Sequence, residues 1–206
     1  MTTIHPMILA FDTSSSACTA ALFDGSGACI ASADERIGRG HSERLVPMIA
    51  ELLDGDKADE VLVGVGPGSF TGIRVGVAAA HGLAIGWGAR LSGMSSLALL
   101  AAAIDGPATA AVIGGHGELF VQDFDSSHEP TSELRNLLPA DAARQTNLSL
   151  VIGSGARQLV DARGWGEARE AWPSAANALK LPAALRRLPP KPVYARAPDA
   201  RAMEAA

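Results

Sequence analysis

The chain has 206 residues, 48% hydrophobic and 19% charged, with a formal net charge of -5 at pH 7. That length suits one large domain or two small lobes with a buried core, and the acidity argues against a protein that grips nucleic acid on its own through clustered Lys and Arg. Aromatics make up 4% and the only cysteines are Cys18 and Cys29, so the core is mostly aliphatic and the two thiols are expected to be small buried hydrophobes in a reducing compartment.

Met1 to Ala10 lacks a basic leader segment, and Asp12 ends the first apolar run early, so no secretory signal is expected. The longest apolar stretch, around Val75 to Trp87, is bounded by Arg74 and broken by His81. It falls short of the roughly 18–20 residues of a membrane span. The expected location is the cytoplasm, with no membrane partner.

In chain order, Met7–Phe11 reads as a central strand, followed by the turn formers Asp12 to Ser16. Cys18–Phe23 is a second strand, Asp24-Gly25-Ser26-Gly27 a hairpin turn, and Ala28–Glu35 a third strand. His41–Leu53 has helical spacing, with Leu45, Val46, Ile49, Leu52 and Leu53 on one face and Ser42 as a candidate N-cap. Pro47 is awkward there, because it lacks an N–H. Glu60–Val65 is an apolar strand of the kind covered on both faces. Next come the loop Gly64-Val65-Gly66-Pro67-Gly68-Ser69 and a helix from about Thr71 to Gly86. Ala89–Gly93 is a fifth strand, and Ser95 or Ser96 caps a helix through Leu97–Ala103.

Asp105-Gly106-Pro107 is the expected domain boundary, giving lobes 1–105 and 106–206. After it the pattern repeats in shorter form. Ala108–Ile113 and Glu118–Phe124 flank Gly114-Gly115-His116-Gly117, Asp125–Gln145 is polar loop with some helix, Leu148–Ile152 is a strand, and Ala156–Arg163 is a helix. Trp165–Ala176 is ambiguous, Ala178–Leu188 reads as helical, Val193–Arg196 as a short edge element, and Ala200–Ala206 as a frayed tail.

The glycine loop has two readings. As a phosphate loop it lacks the Lys of a Walker A motif and the third glycine of a dinucleotide fingerprint, although free N–H groups at a helix start still attract anions. As a packing element, Gly72, Gly76 and Ala80 form a smooth helical stripe for a close neighbour. That neighbour is either the chain's own sheet or a partner helix, with Ile73, Val77 and Leu83 adding apolar contact. Asp12, Thr13 and Ser14 are candidates for a phosphate or Mg²⁺ site, but no further strand-end acids accompany them. No H-E-x-x-H, C-x-x-C or G-x-S-x-G motif is present, so neither a metal nor a hydrolase reading has support.

Four segments resemble the bacterial TsaB (YeaZ) family: Ile8-Leu9-Ala10-Phe11-Asp12-Thr13-Ser14, His41-Ser42-Glu43-Arg44-Leu45-Val46-Pro47, Gly64 through Arg74, and Pro192-Val193-Tyr194-Ala195-Arg196. The resemblance is firm over about residues 7 to 104. It implies an α/β ASKHA (actin-like ATPase, ribonuclease-H-like) fold with two lobes of βββαβαβα type, the second reduced. It also implies a non-catalytic dimerisation or scaffold subunit, without cofactor, for the catalytic subunit TsaD, which threonylcarbamoylates N6 of adenosine 37 in tRNA. A TsaE-like ATPase joins the two, tRNA is touched only indirectly, and the same helices offer a homodimer contact. The metal-binding histidine pair of TsaD has only His41 here, with Leu45 in the second place, so no metal is expected. Many family members carry Asp-Ala-Arg where this chain has Gly114-Gly115-His116. The implied partner-binding residues are His41, Leu45, Val46 and Ile49 on the first helix. On the second they are Thr71, Gly72, Ile73, Arg74, Gly76, Val77, Ala79, Ala80 and Leu83. The competing reading is an ASKHA-type ATPase or small-molecule kinase with a degenerate nucleotide site. A glycopeptidase has no residue constellation behind it.

Overall fold

A computed structural model describes residues 6–193. Its first sheet is built from β1 (Ile8–Asp12), β2 (Ala17–Phe23), β3 (Cys29–Arg36), β4 (Glu60–Gly64) and β5 (Arg90–Met94) in the order β3-β2-β1-β4-β5. β1 pairs antiparallel with β2 and parallel with β4. Both faces of β1, β2 and β4 are buried, which explains their nearly continuous apolar runs. β3 lies at the edge and alternates exposed and half-buried positions. Cys29 sits there exposed, so only Cys18 meets the expectation of a buried thiol.

Two helices connect these strands, α1 (His41–Leu53) and α2 (Phe70–Trp87), and a third, α3 (Ser96–Ala101), follows β5 and leads to the second sheet. α1 begins one residue before the candidate cap Ser42. Gly40, in the left-handed region at φ 89°, holds the N-cap position, and its carbonyl accepts from the Glu43 and Arg44 N–H groups. The helix runs on through Pro47. Arg44 ties α1 to the edge strand, donating from Nε and Nη2 to the two Glu35 oxygens at 2.7 and 2.6 Å and from Nη1 to Glu51. Ser69 caps α2 by accepting from Gly72 N–H, and Gly88 ends it in the left-handed region. Ser95, not Ser96, caps α3.

The second sheet comprises β6 (Ala108–Ile113), β7 (Leu119–Phe124), β8 (Arg135–Leu137), β9 (Leu150–Ile152) and β10 (Glu167–Arg169), in the order β10-β9-β6-β7-β8. Read from β8 and counted within its own unit, that is again third, second, first, fourth, fifth strand. The duplicated ribonuclease-H-like topology of an ASKHA fold is therefore present, with β8, β9 and β10 of the second copy reduced to three residues each. Its helices are α4 (Pro139–Gln145) and α5 (Ala156–Arg163), in the places of α1 and α2. α4 and β8 fill the stretch expected to be mainly loop, and β10 resolves the ambiguous one.

The helix expected over Ala178–Leu188 is absent. Two 3-10 turns, Ala175–Lys180 and Ala183–Leu185, take its place. Pro182 between them lacks an N–H and turns its predecessor away from helical geometry. One apolar cluster joins the units, running from Ala10, Phe23 and Leu97 to Ala110, Phe124 and Ile152. A second lies under α1 and α2. The edge element expected at Val193–Arg196 keeps one described contact, from Val193 N–H to the Val65 carbonyl at 2.8 Å. Tyr194 to Arg196 and the tail lie outside the described residues.

Candidate partner-binding face

The chemical candidates at the end of β1 turn inward. Asp12 is fully buried; its Oδ1 accepts from Ser14 N–H and Ser14 Oγ, both at 2.7 Å, and its Oδ2 accepts from Ser96 Oγ at 2.5 Å. Burial raises its pKa from 3.8, and the serine hydrogen bonds only partly oppose that shift. Thr13 Oγ1 donates to the Gly72 carbonyl at 2.7 Å. The trio thus secures the start of α2 and the base of α3.

A cleft of about 470 Å³ opens beside them, between the two sheets, walled by Ser15, Ser69, Phe70, Ile113, Phe120 and Trp172 among others. Among the described residues no charged side chain lines it. A phosphate there would meet hydroxyls and backbone but, among the described residues, no cation. Among the described residues, no three His, Cys, Asp or Glu side chains are grouped to hold a metal ion. His41 Nε2 lies 3.2 Å from the Ala17 carbonyl.

The glycine loop carries α2 from the end of β4 onto the sheet, through a cis bond between Gly66 and Pro67. The small stripe of α2 faces the chain itself. A Cβ at Gly72 would overlap the Thr13 carbonyl oxygen, and one at Gly76 would stand 2.5 Å from Thr13 Oγ1 and 3.5 Å from Val63 Cγ2. Ala80 is fully buried. Of the two neighbours left open by the sequence, the chain's own β1 loop and β4 take this stripe. His41, Leu45, Ile49, Ile73 and Val77 are likewise buried in the structure. Val46, Thr71 and Arg74 are exposed, and Ala79 and Leu83 are half-buried.

The open face of the helix pair consists largely of residues that the stripe argument passed over. α1 and α2 pack against each other. Outward they present Val46, 52% exposed, with Pro47 and Ala50 on α1, and Ala78, Gly82, Ile85 and Gly86 on α2. Ile85 is 82% exposed, and a Cβ at Gly82 or Gly86 would meet nothing within 4 Å. Phe70, 54% exposed, lies under the Arg74 guanidinium at 3.6 Å. A groove of about 400 Å³ at the N-terminal ends of both helices adjoins this face, lined by Arg39, His41, Ser42, Thr71 and Val75 among others. The signal was available once an inward residue was fixed. With Gly72, Gly76 and Ala80 inward, a 3.6-residue period puts Ala78, Gly82 and Ile85 outward. A helix apolar all round does not show from its sequence which face is covered.

Among the described residues no helix is long and apolar enough to cross a membrane. The family model for TsaD, tRNA N6-adenosine threonylcarbamoyltransferase, matches residues 34–150. The tRNA threonylcarbamoyladenosine biosynthesis protein TsaB of Escherichia coli is 38% identical over 100 residues, which is 46% of this chain and 42% of that protein. The matched stretch thus spans less than half the length of this curated relative. YeaZ from Pseudomonas aeruginosa superimposes with a TM-score of 0.74 at 27% identity, over 85% of this chain and 90% of that one. A second Pseudomonas aeruginosa structure, described as an uncharacterized protein with similarity to peptidase YeaZ, gives a TM-score of 0.77 at 27% identity, over 93% of this chain and 100% of that one. The sequence segments, the duplicated topology and these matches agree: the chain belongs to the TsaD family, in its TsaB (YeaZ) group.

Proposed function

We propose that this chain is a non-catalytic dimerisation and scaffold subunit in tRNA threonylcarbamoyladenosine biosynthesis. It lays the open face of α1 and α2 against a TsaD-like catalytic subunit, to which a TsaE-like ATPase also binds. In the absence of that subunit, two copies of the chain pair through the same face in the cytoplasm. The observation that carries the reading is the uncovered apolar surface on this helix pair, centred on Ile85 at 82% exposure and the open Gly82. Such surfaces on soluble proteins mark interaction sites, and small residues let a second helix approach closely. The inward-turned Asp12, and a cleft whose described lining carries no charged side chain, support a subunit that performs no phosphoryl chemistry of its own. The relatives' names supply the pathway.

Co-purification with the TsaD-like protein of the same organism, at micromolar concentration, tests this. Burying an isoleucine is worth roughly 1.5–3 kcal/mol, so Ile85→Asp should weaken the complex at least about tenfold, and Gly82→Leu should do so by steric exclusion. Both variants should keep the helical circular dichroism of the parent. No complex at micromolar concentration, or a complex indifferent to both substitutions, would refute the reading.

A further inference from the structure

We propose that the segment from Trp172 to Val193 is a permanent brace that locks the two sheets and α2 into one rigid body, so that the cleft between the sheets does not open and close. This inference is independent of any partner.

The chain leaves the second sheet at the end of β10 and crosses to the first. Its contacts there are side-chain and backbone bonds spread over the whole segment. The Arg36 guanidinium lies over the Trp172 ring at 3.6 Å. Ser174 Oγ donates to Asp34 Oδ2, and Ala175 N–H donates to Thr19 Oγ1, both at 2.8 Å. Thr19 is fully buried and its hydroxyl donates a hydrogen bond to Asp34 Oδ1, so it is used both as donor and as acceptor. Ala175, Ala178 and Leu181 then enter the apolar cluster that both sheets share. They sit between the units as core rather than as cover.

The far end is fastened as firmly. Lys180 Nζ donates to the Ala102 carbonyl at the C-terminal end of α3. Ser95 N–H donates to the Leu185 carbonyl at 2.9 Å. Leu188 and Gly93 exchange both backbone hydrogen bonds, at 2.7 and 2.9 Å, along the free edge of β5. Gly93 leaves room for this: a Cβ there would stand 2.7 Å from both the Pro189 carbonyl oxygen and Val65 Cγ1. His81 on α2 lies 3.1 Å, through Nε2, from the Pro190 carbonyl, and Val193 N–H reaches the Val65 carbonyl at the base of the glycine loop. Prolines at 182, 189, 190 and 192 stiffen the segment, which lowers the entropy lost on docking. A working hinge between lobes has few contacts across it and a short flexible crossing. Here the crossing is long, stiff and bonded at both ends.

Two measurements on the full chain test the brace. Hydrogen exchange should protect the amides of Ala175, Leu188 and Val193 to within roughly tenfold of those in β1 and β2. Spin labels at Asp56→Cys and Asp161→Cys, in a Cys29→Ser background, should report one narrow distance that ATP with Mg²⁺ leaves unchanged. Thr19→Val combined with Leu181→Ala should broaden that distance and speed exchange in the segment by roughly tenfold or more, since single hydrogen bonds and buried side chains are each worth enough to do so. The α5 amides, still protected, would show that the second unit remains folded. A broad or two-peaked distance in the parent chain, or segment amides exchanging freely there, would overturn the proposal whether or not the variant folds. Release of the segment without broadening would overturn it as well.

Discussion

Alanine at Gly72 and alanine at Gly82 should have opposite effects on stability, although both positions are interior to α2. Alanine in place of a helix-interior glycine is worth about 0.5–1 kcal/mol through the backbone alone. At Gly82 nothing lies within 4 Å of the added carbon, so the whole gain should appear. At Gly72 the carbon would overlap the Thr13 carbonyl oxygen, a backbone atom that cannot swing aside, and Thr13 Oγ1 is already bonded to the Gly72 carbonyl. Overpacking costs about 1–3 kcal/mol, and against a backbone atom the upper part of that range, about 2–3 kcal/mol, applies, leaving a net loss of about 1–2.5 kcal/mol once the helix gain of about 0.5–1 kcal/mol is subtracted. Urea unfolding followed by circular dichroism measures both, with equal m-values confirming that the denatured state is unchanged. The series is run at two protein concentrations, because coupling to self-association makes the midpoint concentration-dependent. A Gly72→Ala variant within about 0.5 kcal/mol of the parent, or a destabilised Gly82→Ala, would refute the assignment of inner and outer faces.

Three further outcomes follow from single sites. Asp12 has a raised pKa through burial, so the stability it contributes is complete below its unfolded value of 3.8 and is lost as pH rises above it. Asp12→Asn should therefore gain on the parent as urea titrations move from pH 4 to pH 7, and a variant that loses ground to the parent over that range would mean the serine hydrogen bonds outweigh burial. Cys29 should react with a maleimide in the folded chain, whereas Cys18, buried and with its pKa pushed up to about 11, should react only on unfolding; two fast thiols would contradict the packing of β2. Arg44→Met should lower the urea midpoint at low salt and do so less in about 1 M NaCl, because the bonds to Glu35 and Glu51 are surface-screened; an effect independent of salt would point to packing instead.

The legible part of the fold was the part in which local signals and burial coincide. β1, β2 and β4 are apolar runs ended by turn residues, and α1 has helical spacing closed by Asp54-Gly55, so its bounds read correctly as His41–Leu53. The second unit was harder because β8, β9 and β10 are three residues long, too short for a period-2 pattern to show. Ala178–Leu188 misled because alanine and leucine favour a helix in isolation, while Pro182 and the bonds to Gly93 and Ser95 fix an extended path. At the candidate site, the sequence left open what the small stripe of α2 packs against, and the structure turns that stripe onto the chain itself. Gly72 and Gly76 looked like an invitation to a partner because Thr13, the atom that needs the space, is distant in sequence and close only after β1 and α2 have packed.

That inward turn strengthens the case for a partner rather than removing it. The inner glycines now have a complete explanation within the chain, since a side chain at either would strike Thr13. The outer two, Gly82 and Gly86, have none: both are in helical conformation, both are exposed, and both have open space where a side chain would go. Each costs the isolated helix about 0.5–1 kcal/mol relative to alanine. Together that is a measurable fraction of a typical domain's 5–15 kcal/mol, and nothing among the described residues offsets it. Beside them Ile85 stands largely in water, an arrangement that is unfavourable for a free chain and favourable once a second surface covers it. A contact that approaches closely at Gly82 and Gly86 and buries Ile85 accounts for all three residues together, which no feature among the described residues does.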